Sequence, residues 1–256
     1  LTRSAKKAAA DGRKSSVDAL EIEKFAQQAE QWWDPEGNFR PLHRLNPARL
    51  TFIRDRLSAH YGLSGGVKPL KGLKLLDVGC GGGLLAEPLA RMGAEVTAID
   101  AAEESVAAAK LHAEAMGLAI DYHAITAEEL LEEGAAFDAV LSLEVVEHVA
   151  DVPGFLETLC GLVKPGGALI LSTLNRTPKS FAMAIVGAEY LLRWVPRGTH
   201  DWRRFLKPSE LARSLRTRGF ETRALSGLVY NPLTDTWRTD DRDLDVNYLM
   251  MAVRED

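Results

Sequence analysis

Leu73-Lys74-Leu75-Leu76-Asp77-Val78-Gly79-Cys80-Gly81-Gly82-Gly83-Leu84-Leu85-Ala86-Glu87 is the stretch that decides the fold. An apolar run of strand length, Leu73 to Val78, passes into a glycine cluster, and a helical pattern begins at Leu84. Glycine at a strand-to-helix turn permits positive φ and lets backbone approach a ligand closely, while the helix N-terminus behind it favours an anionic or tightly held polar group. The next strand-like run, Glu95 to Ile99, ends on Asp100, an acid placed to grip a ribose through its hydroxyls. A dinucleotide fingerprint needs glycine at the sixth position counted from Gly79; that position is Leu84, so the count fails.

Working outward, short apolar runs alternate with longer amphipathic ones. Strands are predicted at Leu73 to Val78, Glu95 to Ile99, Ala119 to His123, Phe137 to Leu143 and Ala168 to Thr173, then near Glu221 to Tyr230 and Val246 to Val253. Helices are predicted near 84–92, 103–116, 126–132, 151–163 and 208–218. Strand, helix, strand repeated this way implies right-handed crossovers and a doubly wound α/β fold with a seven-stranded, mostly parallel sheet covered on both faces. Upstream, a helix is expected from Ser16 or Asp18 to Trp33, stopped by Asp34-Pro35, and a second from Pro47 at its first turn to Tyr61-Gly62. Together, over 17–62, they form an N-terminal helical cap. Residues 1–16 are basic, rich in Ser and Ala and almost without apolar bulk, so they read as a disordered tail; the same composition suits a transit peptide.

Composition narrows the function. The 256 residues are 46% hydrophobic and 26% charged, a globular balance with room for a core that needs no staples. A net charge of −5 argues against a surface devoted to nucleic acid. Two cysteines, Cys80 and Cys160, suit reduced thiols and a cytoplasmic setting rather than a disulfide framework. No apolar run is long enough to span a bilayer. Residues 174–207 differ from the rest: seven basic side chains stand against two acids, around the apolar stretch Phe181 to Val195. A basic, Trp-bearing apolar segment of this kind reads as a lid over a greasy pocket or as an interfacial anchor on anionic lipid, with packing in the cap as the alternative.

The glycine loop, with Asp77 inside the strand and Gly79, Gly81 and Gly83 in place, resembles the first motif of class I S-adenosylmethionine-dependent methyltransferases, a Rossmann-like fold. Thr126-Ala127-Glu128-Glu129 resembles their adenine-flanking turn, and Lys164-Pro165-Gly166-Gly167 their turn before the fifth strand, which reads as structural. Further segments narrow the match: His43 to Arg49, Lys110-Leu111-His112, Glu144 to Val149, Ser172 to Arg176, Val186 to Tyr190, Gly198 to Asp201 and Tyr230-Asn231-Pro232. Together they resemble the ubiquinone-biosynthesis O-methyltransferase family, from about Phe25 to Tyr248. The resemblance implies methylation of ring hydroxyls on polyprenyl phenol, catechol and quinol intermediates at two stages of a pathway. It places cofactor contacts at Arg49, Gly79, Asp100 and Leu143, the last a position that often carries Met in the family, and the loop and adenine-turn motifs add Asp77, Gly81 and Glu128 as cofactor-binding candidates.

An aryl hydroxyl of pKa ~10 is a poor nucleophile until it loses its proton. Glu144, Glu147 and His148, at i, i+3 and i+4, would share one face of a helix. Two roles follow for this trio: His148 as general base, or all three as ligands of a divalent cation such as Mg²⁺. His200 is a reserve base. Competing readings are a nicotinamide oxidoreductase, another small-molecule methyltransferase, and a non-catalytic lipid-binding module with a vestigial cofactor cleft. The expected site is the cytoplasm, peripherally on the inner face of the cytoplasmic membrane.

Overall fold

The structure, a computed structural model, describes residues 16–183, 201–231 and 233–256. Its strands are β1 Lys74–Val78, β2 Glu95–Ile99, β3 Asp121–His123, β4 Phe137–Leu143, β5 Val163–Leu174, β6 Phe220–Asn231, β7 Thr236–Asp240 and β8 Asn247–Arg254. They form one sheet in the order β3-β2-β1-β4-β5-β8-β6-β7. β1 to β5 are parallel, and β8, β6 and β7 are antiparallel. The order reverses between β1 and β4, so a crevice opens beyond their carboxyl ends, where α/β sheets bind ligands.

Period-2 alternation divides the core between the two faces. Leu75, Leu141 and Ile170 face one layer with Phe52, Ile53 and Leu57, while Leu76, Val140 and Leu171 face another with Phe155, Leu159, Leu211 and Leu215. The first layer rests on α2 Arg40–His60, α3 Ala86–Arg91 and α4 Glu103–Ala115; the second on α6 Val152–Gly161 and α8 Pro208–Arg216. Each fully buried Leu or Ile here removes roughly 1.5–3 kcal/mol worth of apolar surface from water, which pins the central strands. The remaining helices are α1 Ala19–Ala26, α5 Ala127–Glu132 and the single turn α7 Pro178–Ser180.

The doubly wound α/β class is as expected, and three local expectations are corrected. Among the described residues the sheet has eight strands, not seven: β7, Thr-Trp-Arg-Thr-Asp, is a polar edge strand whose pairing with β6 comes from the hairpin and not from an apolar run. The first helix is shorter than its apolar spacing implied. It runs from its Asp18 cap to Ala26, and a tighter turn at Ala29–Gln31 then brings Trp32 onto the glycine loop that follows β1. The second helix begins at Arg40, with Pro41 in its first turn and Pro47 in its interior. Proline carries no N–H, so Pro47 removes one internal hydrogen bond without ending a helix that the sheet holds through Ile53 and Leu57. Residues 184–200, half of the expected lid, and residues 1–15 of the expected tail lie outside the described residues.

Candidate active site

Gly79, Gly81 and Gly83 take φ of 75°, 51° and 85°, conformations that side-chain-bearing residues avoid. Their loop is also covered by side chains: a Cβ at Gly81 would come within 2.4 Å of the Trp32 ring, one at Gly82 within 2.3 Å of Trp32 Cβ, and one at Gly79 within 2.5 Å of Val145 Cγ2. Trp32 stacks on Phe39 with centroids 3.6 Å apart and donates to Ser105 Oγ at 3.2 Å. Trp33 donates to Gly82 O at 2.9 Å and stacks on His112, whose Nδ1 lies 2.6 Å from buried Glu87. Asp100, at the end of β2, accepts from Gly81 N at 2.9 Å and Ala102 N at 2.8 Å, one bond to each oxygen. Burial raises its pKa against these two bonds.

Two charged groups in the adjoining cavity are incompletely paired. Asp77 is buried on β1, its Oδ2 has no hydrogen-bond partner, and burial, aided by the Asp100 charge, pushes its carboxyl up to about 7 although Arg49 acts the other way. Arg49, from α2, is buried with its Nε unpartnered. Its Nη2 lies 2.9 Å from Glu144 Oε1. Asn247 Nδ2 donates to both Glu144 oxygens, at 3.1 and 3.0 Å, and Ser172 Oγ donates to Oε1. Glu144 has φ 58°, and this kink between β4 and the following turn aims it at Arg49.

The kink breaks the helical spacing expected of Glu144, Glu147 and His148. Residues after Leu143 form a turn, and the three side chains go to three different partners. Buried Glu147 accepts from Thr173 Oγ1 at 2.9 Å; burial first, then the Glu144 charge, pushes it up to about 7. His148 Nδ1 lies 2.9 Å from Glu21 Oε2, on α1. Burial opposes charging this ring, but the bond to Glu21 and the Glu147 charge outweigh it and raise the pKa; in return the His148 bond lowers Glu21 to about 2. Among the described residues no group of three or more His, Cys, Asp or Glu is arranged to hold a metal ion. The expected Mg²⁺ ligand set therefore does not fit: Glu144 is committed to a guanidinium, an amide and a hydroxyl, and His148 to Glu21.

Arg49, Asp77, Gly79, Gly81, Asp100, Glu128, Leu143, Glu144, Glu147 and His148 all line one cavity of about 600 Å³ at the β1/β4 crevice. A methyltransferase-domain family model matches residues 76–171. The ubiquinone biosynthesis O-methyltransferase of Dinoroseobacter shibae is 55% identical over 240 residues, covering 93% of this chain and 97% of that protein. The enzyme of the same name from Paramagnetospirillum magneticum is 54% identical over 235 residues, covering 91% and 94%. The chain belongs to the ubiquinone biosynthesis O-methyltransferase family. A solved magnesium protoporphyrin IX methyltransferase from Synechocystis, with bound SAH, shares the fold at 20% identity and TM-score 0.62, covering 93% of this chain and 95% of that one. As a family member the protein is an S-adenosylmethionine-dependent O-methyltransferase.

The methyltransferase cavity has a wall that sequence reasoning did not place there. Glu21, Ile22, Phe25 and Trp32 line it from the N-terminal side. Ser16 is buried, donates to Glu128 Oε1 through both N (3.1 Å) and Oγ (2.5 Å), and accepts from Ala150 N at 2.7 Å. Glu128, expected beside adenine, is thus engaged by the chain itself. The apolar period of 20–33 signalled a buried face but carried no sign of what it would cover. His200, the reserve base, lies outside the described residues.

Proposed function

We propose that the enzyme transfers the methyl group of S-adenosylmethionine to a ring hydroxyl of polyprenylated intermediates, 2-polyprenyl-6-hydroxyphenol and 3-demethylubiquinol. The observation that carries this reading is one cavity joining the unpartnered Asp77 Oδ2 and Arg49 Nε to the Glu147 and His148 side chains. An amino acid zwitterion complements the first pair: Arg49 would hold its carboxylate and Asp77 its ammonium, whose charge offsets the cost of burying Asp77 ionised. Asp100 keeps a second lone pair on each oxygen for ribose hydroxyls, and Leu143 offers an apolar wall for adenine that conserves the volume of Met. Gly79 and Gly81 shape the backbone along the methionyl part, and Glu128 borders the adenine side.

When bound, the cofactor supplies a sulfonium methyl open to in-line attack. The protein's part is to position the aryl oxygen and take its proton. His148 would do so through Nε2, because Nδ1 is turned to Glu21. Glu147 favours the imidazolium that results. Glu144 supports the site by fixing Arg49 rather than by touching the acceptor. The test is transfer of tritiated methyl from the cofactor to a short-chain demethylated quinol. We expect a methyl ether, and His148→Gln to lower kcat by about 100-fold or more. Methylation at ring carbon, or pyridine-dinucleotide binding without S-adenosylhomocysteine binding, would overturn the reading.

The polyprenyl tail sets the surroundings. No described helix is long and apolar enough to cross a membrane. Phe181 and Met183 are exposed where the described part of the 174–207 segment ends, and Met183 also lines the cavity. This supports a peripheral contact with anionic lipid at the inner face of the cytoplasmic membrane, from which the substrate would be drawn.

A further inference from the structure

We infer that Glu21, delivered by the N-terminal segment, is a positioning residue for methyl transfer: it fixes the His148 imidazole so that Nε2 is the nitrogen available to the acceptor. The inference rests on the reading of His148 as the base. The two residues are 127 positions apart, yet Nδ1 and Oε2 are 2.9 Å apart and both side chains line the cavity. A carboxylate only accepts, so Nδ1 carries the proton in either charge state, and the neutral form of the ring, the one that acts as a base, has its lone pair on Nε2. The Phe25 ring meets the imidazole edge-on at 5.6 Å and limits its rotation.

The segment carrying Glu21 is tied down independently at several points. Ser16 bonds Glu128 and Ala150, Asp18 pairs with Arg204 at 3.2 Å, and Trp32 sits on Gly81 and Gly82. Lys24 lies 2.6 Å from the other Glu21 oxygen, Oε1, and holds the carboxylate in place. Glu128 borders the cofactor cavity, so the closed segment couples the base to the same space that admits the cofactor. A base assembled only when this segment is seated would keep its proton chemistry within a closed site.

The experiment compares Glu21→Gln, His148→Gln and the double variant in the tritiated-methyl assay with the short-chain demethylated quinol. Calorimetry with S-adenosylhomocysteine shows which variants keep a folded cofactor site. We expect Glu21→Gln to lower kcat by about 10-fold or more, with cofactor affinity and acceptor KM within about twofold of the parent, and to cause no further loss in the His148→Gln background. Should Glu21→Gln fail to bind S-adenosylhomocysteine, Glu21→Asp, which keeps the charge but withdraws it by one methylene, is read by the same criteria. Three outcomes would overturn the inference while the base assignment stands: wild-type kcat in Glu21→Gln beside a crippled His148→Gln, a loss confined to cofactor affinity, or full additivity in the double variant. Wild-type kcat in His148→Gln would instead remove the base assignment, and this inference with it.

Discussion

Asp77 stands where burial has least to offset it. Its carboxyl is pushed from the ordinary 3.8 to about 7, so between those values the folded chain holds a proton that the unfolded chain has released. The contribution to stability is therefore present below about 3.8 and lost as pH rises through about 7. Asp77→Asn removes that loss. The ligand-free variant should melt progressively higher than the parent as pH is raised across this window, and should bind S-adenosylhomocysteine more weakly; melting curves at several pH values with parallel calorimetry check both. Glu144 makes the opposite case. It supplies the counter-charge for Arg49, which is 6% exposed, so Glu144→Gln leaves a buried guanidinium without it. We expect a loss of about 3 kcal/mol in urea unfolding, largely recovered by adding Arg49→Met, because removing both partners costs less than stranding one. The family's motifs singled out Asp77 and Arg49 in the sequence, and the fold brings both to the one cavity. The sequence misplaced Glu144 on a helical face shared with Glu147 and His148, because residue spacing carries no sign of a backbone at φ 58°, and that angle separates the trio.

The elements most plainly written in the sequence are the strands buried on both faces. β2 and β4 have the bounds that their apolar runs predicted: Val96, Ala98 and Ile99 of β2 and Ala139, Val140 and Leu141 of β4 are buried, as neighbouring residues are when both faces of a parallel sheet are covered. The N-terminal elements were harder for the same physical reason in reverse: their apolar residues face a partner remote in sequence, and local periodicity cannot identify it. Trp32 bears most of that docking. It is 6% exposed, stacked on Phe39 and pressed against the glycine loop, so Trp32→Ala should cost about 3–5 kcal/mol in local stability. The second core cluster, between the sheet and α6 and α8, does not include this residue, so the loss should concentrate in the N-terminal segment. Limited proteolysis checks this: cleavage between residues 16 and 39 should accelerate in Trp32→Ala at temperatures where the sheet domain stays intact. Simultaneous fragmentation of the whole chain would show instead that segment and sheet unfold as one unit.

Across the whole molecule, charge is distributed against the average. The chain carries −5, while residues 174–207 hold seven basic side chains and two acids. From sequence this reads as a basic surface offered to a membrane. The folded arrangement withdraws part of it: Arg176 pairs with Glu210, Lys179 lies near Asp243 and Asp245, and Arg204 meets Asp18. Such pairing across elements is invisible to a count along the chain, because the neutralising acids come from distant segments. Lipid attraction is correspondingly reduced, and it competes with a net negative protein at longer range. Binding to vesicles containing anionic lipid should therefore be weak and reversible, carried jointly by apolar insertion and a few charges, each worth about 1 kcal/mol near the surface. Flotation with such vesicles should show binding that falls steeply as added salt shortens the Debye length from about 10 Å at 0.1 M to about 3 Å at 1 M, with little retention on neutral vesicles. Neutralising Asp243 and Asp245 as Asn frees Lys179 and should raise flotation. Salt-insensitive retention on neutral vesicles would mean that apolar insertion through Phe181, Met183 and their neighbours carries the contact alone, and that the basic residues serve the fold.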